Sequence, residues 1–164
     1  MLRKLKILLV LSVTLWGLLG AFSNILDWSG TVGAVSAVTS MSTFEGSAFE
    51  WRATTNPVVV FIGALFIVLA KIVTGLLCLV GAQRMWAARL GDAATFAKAK
   101  TYALAGCAIS VIMLFVGFSV IAEGWFELWR TAAMQGAVLA PAFRYGAMIA
   151  LIALFVGARD EDEA

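Results

Sequence analysis

Lys71 stands near the middle of a long apolar run, Val58 to Ala82. An ionisable group at that depth costs about 2.5–3.5 kcal/mol on insertion scales and marks a functional position by default. Its options are a carboxylate from a partner protein, backbone carbonyls, a water-filled cavity, or loss of its proton. No acid in the chain's own apolar runs stands at matching depth, so an external partner, lipid headgroup or water is the sharper expectation, and a neutral or locally solvated lysine the blander one. A second candidate is Glu123-Gly124-Trp125-Phe126-Glu127-Leu128-Trp129-Arg130. On a regular helix Glu123 and Glu127 share one face, as do Trp125 and Trp129. Paired carboxylates raise one another's pKa and suit a cation site or acid–base chemistry; the plainer expectation is that Arg52 and Arg130 neutralise them at the membrane surface. Trp51 and Arg144 complete the candidate interaction residues.

Other chemistries are excluded by residue type. The chain has no histidine, so by itself it builds no bis-histidine haem, no histidine-ligated zinc or copper and no histidine proton relay. Contact with a haem-bearing partner stays open. Two cysteines are too few for an iron–sulfur cluster or a four-cysteine zinc site. Cys78 and Cys107 are expected at similar depth near the inner ends of their runs, where the compartment is reducing and buried cysteine serves as a small apolar residue. There is no phosphate-binding glycine loop and no nucleophile–base set. The expectation is therefore no catalytic residue, cofactor, metal, nucleic acid or small-molecule substrate, and no enzyme.

The elements that must position these residues follow from composition. With 62% hydrophobic and 13% charged residues among 164, the chain lies far from a soluble domain, at roughly 45–50% and about 25%. So much apolar surface cannot be hidden in a core this small, and the lipid bilayer must be part of its solvent. Crossing a hydrocarbon core takes about 20 helical residues, and backbone groups in lipid must be satisfied within the segment. The reading is an all-α polytopic membrane domain over residues 1–164: spans at 7–26, 58–82, 101–122 and 143–158, outer loops at 27–57 and 123–142, an inner loop at 83–100, and an acidic tail at 159–164. The fourth run is short and extends backward through 136–141 or forward to Ala158. Pro57 sits where a first-turn proline is tolerated.

Basic residues resist translocation. Arg3, Lys4, Lys6, Arg84, Arg89, Lys98, Lys100 and Arg159 fall on one side, against Arg52, Arg130 and Arg144 on the other. That imbalance predicts both ends in the cytoplasm; the resemblance described below implies that the membrane is the inner membrane of a bacterium. The tryptophans mostly fall near span ends, where amphipathic rings prefer the headgroups. A rival reading makes the first run a signal peptide cleaved before Asn24; the run's spanning length argues against it.

The first outer loop is too long for a simple connection and is expected to have structure or a partner. It is either a lid on the helix ends, with Trp51 in the headgroups and Arg52 near phosphates or Glu45, or a docking surface for another subunit. Gly106-x-x-x-Ser110, Gly146-x-x-x-Ala150 and Ala153-x-x-x-Gly157 permit close helix packing. The closing Asp160-Glu161-Asp162-Glu163 reads as a solvated tail that could equally meet a basic partner surface.

Thr39-Ser40-Met41-Ser42-Thr43-Phe44, Trp51-Arg52-Ala53, Phe96-Ala97-Lys98-Ala99-Lys100, Glu123 to Trp129 and Ala142-Phe143-Arg144, in that order along most of the chain, resemble the small integral membrane proteins grouped as domain of unknown function 2165. Where that family's pattern carries a histidine upstream of the first block and an acid after the methionine, this chain has Ala37 and Ser42. The resemblance implies a four-helix bacterial membrane protein without an assigned activity. Small size, absent cofactor ligands, one intramembrane lysine and a long aromatic outer loop point to a non-catalytic accessory or scaffold subunit of a larger membrane complex, by analogy a respiratory or other electron-transfer complex. The alternative is a small transporter or channel acting as a homo-oligomer, with Lys71, Glu123 and Glu127 lining the path.

Overall fold

The computed structural model describes residues 1–42, 44 and 51–160. Four of its helical segments are long and apolar enough to cross a membrane: Leu2–Leu26, Pro57–Ala87, Ala93–Trp125 and Gln135–Gly157. The first is α1 (Leu2–Leu26) and the second α3 (Pro57–Ala87). Helix α3 starts as a first-turn proline allows: Pro57 needs no amide partner there, and the Asn56 side chain accepts from the Val58 amide at 2.9 Å. Between them α2 (Trp28–Thr39) runs along α1 and α3, its first turn capped by Asp27, which accepts from the Gly30 amide at 3.0 Å. The segment between the first two spans thus contains a helix. Its stretch from Glu45 to Glu50 lies outside the described residues.

The helices run past the apolar runs that reveal them, because polar and basic residues continue a helix once it leaves the hydrocarbon. Helix α3 carries on through Arg84 to Ala87. After α3 comes α4 (Ala93–Ala99), capped by the Asp92 carboxylate accepting from the Thr95 amide at 2.7 Å. Helix α5 (Thr101–Ile112) then changes hydrogen-bond register at Met113 and continues as a π-helix, Met113–Trp125. A short 3-10 turn, Leu128–Arg130, one turn of α6 (Ala132–Met134) and a second π-segment, Gln135–Leu139, lead into α7 (Ala140–Gly157).

Helix α3 sits between α1 and α5, and α7 packs on α5 and touches α1. Glycine sets how closely the backbones approach. A Cβ on Gly17 of α1 would lie 2.8 Å from the Lys71 carbonyl oxygen and 3.0 Å from the Gly75 nitrogen; one on Gly81 of α3 would lie 2.4 Å from the Ala103 nitrogen. Small-residue contacts of this kind hold helices together where lipid removes the hydrophobic drive for association. Gly106 meets Cys78 and Thr74 in the same way. Outward-facing side chains stay apolar: Leu8, Leu15, Phe115 and Leu154 are all exposed. That exterior is the surface of an integral, multi-pass membrane protein.

Candidate functional site

Lys71 has a partner within the chain. Its ammonium donates to the Asn24 amide oxygen at 2.6 Å, and the Asn24 amide nitrogen donates to the Thr31 hydroxyl at 2.8 Å. The stem lies over Gly20, where a Cβ would come within 3.3–3.5 Å of three lysine atoms. The lysine reaches along the α1 surface rather than out of the bundle, and one chain of hydrogen bonds joins α3, α1 and α2. Within the chain the acceptor is thus a neutral amide and not a carboxylate. Asn24 escaped notice because it looks like an ordinary polar residue near the end of the first run.

The outer carboxylates do not share a face. The π-helix ends at Trp125, and Glu127 takes the left-handed conformation, with φ of 51°, so the chain turns between the two glutamates and between Trp125 and Trp129. Arg52 donates to one Glu127 carboxylate oxygen at 2.5 Å and Arg130 to the other at 2.8 Å. The hydrogen bond from Arg52, then that from Arg130, holds the Glu127 carboxyl below the usual carboxylate range. Arg52 also lies 6.0 Å from the Trp125 ring, and Trp51 meets Trp125 edge to face at 5.5 Å. Among the described carboxylates, the arginines thus gather round Glu127. Trp51, Trp125 and Trp129 are all exposed on this outer cluster, Trp51 most of all at 79%.

Glu123 is different. Among the described residues it has no hydrogen bond or ion pair, whereas Asp27, Asp92, Glu127 and Asp160 each have one. It faces an open cleft of about 520 Å³ between the two π-segments. Ser119, Glu123 and Gln135 bring the polar groups; Leu139, Ala140 and Phe143 supply apolar wall. A Cβ on Gly136, also in the lining, would meet nothing within 4 Å. Long π-helical stretches are rare and concentrate at functional sites. Nothing in a hydropathy pattern points to Ser119 or Gln135, although Gln135 is one of only two glutamines in the chain. Arg144, adjacent to Phe143, lies inside α7 and is exposed, its guanidinium 5.3 Å from the Tyr145 ring.

At the opposite end the expected solvated tail is corrected at its first acid. Asp160 is buried between two lysines: Lys6 donates to one carboxylate oxygen at 2.9 Å and Lys100 pairs with the other. Both lysines also donate to the Ala158 carbonyl, at 2.8 and 2.9 Å. Burial pushes the Asp160 carboxyl up, but Lys100 and Lys6 together outweigh it and hold the group below its ordinary range. Arg3 donates to the Gly91 and Arg89 carbonyls at 2.5 and 3.2 Å and sits over Phe96. The basic residues that favour this side are thus partly built into the bundle. Glu161, Asp162 and Glu163 lie outside the described residues. Cys78 and Cys107 are buried free thiols within mutual hydrogen-bonding reach, and Cys78 also donates to the Ala103 carbonyl at 3.7 Å.

No curated protein and no solved structure matches the chain. The family model described as predicted small integral membrane protein (DUF2165) matches residues 2–159, which takes in all four spans, the outer clamp and the Glu123 cleft, and the chain belongs to that family.

Proposed function

We propose that the chain is a non-catalytic accessory subunit of a larger membrane protein complex in the bacterial inner membrane, with both ends in the cytoplasm. The excess of Lys and Arg on the side of Lys6 and Asp160 supports the orientation. The observation that carries the subunit reading is the outer cluster: Trp51 and Trp125, exposed and packed edge to face beside the Arg52–Glu127–Arg130 clamp, with Trp129 exposed next to Arg130. Tryptophan and arginine dominate the energetics of protein interfaces, most of all where they are fixed before binding. The bonded ions favour structure over turnover, since half-buried Lys71 with Asn24 and buried Asp160 with its lysines tie helices together.

The test is purification of a tagged chain at native expression level in a mild detergent, with mass spectrometry of what accompanies it. A stoichiometric set of membrane subunits is expected, and Trp51→Ala/Trp129→Ala should lose it while the chain stays folded. A lone chain from the unaltered protein sinks the reading. The Glu123 cleft favours a second one, a small transporter working as a homo-oligomer; its mark would be flux through proteoliposomes of the purified chain that Glu123→Gln abolishes.

A further inference from the structure

We infer that the cleft between the two π-segments is a binding site for a primary ammonium on an amphiphile, the headgroup of an ethanolamine phospholipid or a free alkylammonium. Glu123 is the described carboxylate left without a partner, and it stands where the third span reaches its outer end. A half-buried carboxylate facing an open cleft is available to a cation from outside the chain. Arg52 and Arg130 are bound to Glu127 instead. A primary ammonium brings three donors, and the cleft offers three kinds of acceptor in the Glu123 carboxylate, the Gln135 amide oxygen and the Ser119 hydroxyl. Leu139, Ala140 and Phe143 provide the apolar wall along which an alkyl chain can lie. About 520 Å³ falls within the usual range for small-molecule pockets, roughly 300–1,000 Å³, and apolar lining with a few polar groups is their usual composition.

Charge sets the selectivity. A phosphatidylglycerol headgroup has no cation for Glu123 and brings an anion against it, whereas an ethanolamine headgroup offers the ammonium and places its phosphate further out. The exposed guanidinium of Arg144, next to Phe143, is available to that phosphate. The inference goes beyond the subunit reading and stands on different residues from the tryptophan cluster.

The experiment is native mass spectrometry of the full chain released from nanodiscs of equal phosphatidylethanolamine and phosphatidylglycerol, with dodecylammonium as competitor. The expected result is one ethanolamine lipid per chain, retained at least tenfold over glycerol lipid and displaced by dodecylammonium. Glu123→Gln should lose that retention. Gly136→Leu should lose it independently by filling the cleft, with a wild-type melting temperature showing that the fold survives. Displacement of a bound amine without any retained phospholipid supports the ammonium site and assigns it to free amphiphiles. Equal retention of the two lipids, or unchanged retention in Glu123→Gln, overturns the inference. So does carbodiimide coupling of Glu123 to a lysine of a co-purifying protein, which would assign the cleft to a subunit instead.

Discussion

At Lys71 the deciding atom is the amide oxygen of Asn24. The ammonium is held by one strong charge-assisted bond of 2.6 Å, so removing the acceptor should hurt more than removing the charge. Asn24→Leu leaves a half-buried ammonium without its acceptor and is expected to cost about 1.5–3 kcal/mol. Lys71→Met removes the charge together with its desolvation and should cost less, and the double variant less than the sum of the two. Denaturant unfolding in detergent, followed by tryptophan fluorescence, measures all three; equal costs would mean that the bond contributes little. The lysine itself was visible in the sequence, since one charge in a run of Val, Leu and Ile stands out. Its partner was not: whether Asn24 meets Lys71 depends on the α1–α3 register, which is fixed by Gly17 lying against Gly75. Glu127 was misplaced for a related reason, because a single residue with positive φ undoes every i,i+4 relation across it.

Between elements, backbone-to-backbone distance is the controlling quantity. Gly81 faces the backbone of Ala103, which cannot rotate away as a side chain can. Gly81→Ala is expected to force α3 and α5 apart, at about 1–3 kcal/mol. Gly33→Ala, in α2, has open space around its Cβ and should be neutral or slightly stabilising through helix propensity. Melting temperatures of the two variants make the comparison; a Gly81→Ala protein as stable as the Gly33→Ala protein would refute the close seam. Apolar length and lipid physics made the spans legible because every spanning backbone must be helical. The π-segments were not legible, since their widened turns leave composition unchanged and a hydropathy pattern carries no sign of an i→i+5 bond. The cleft that Glu123 faces was hidden with them.

For the molecule as a whole, the buried Lys6–Asp160–Lys100 cluster links the first span, the third and the end of the fourth. Asp160 has a folded-state pKa held below that of an unfolded aspartate, so its contribution is fully present above about pH 4. It is lost as the pH falls through the folded value. Asp160→Asn leaves two buried ammonium groups without an anion and is expected to cost about 3–5 kcal/mol. The variant should also show a flatter loss of stability as the pH falls below about 4, an aspartate's ordinary pKa. Thermal melts across that range test both, and identical acid limbs would argue against the cluster. From sequence alone a run of acids after a span reads as solvated, and Asp160 departs from that reading because lysines 154 and 60 positions earlier come to meet it. The same cluster bears on how the protein is made. Lys6 is synthesised 154 positions ahead of Asp160 and waits without its anion while three further spans are inserted. Only when translation reaches residue 160 is that charge answered, so a product broken off at Gly157 has all four described spans yet lacks the closing contact.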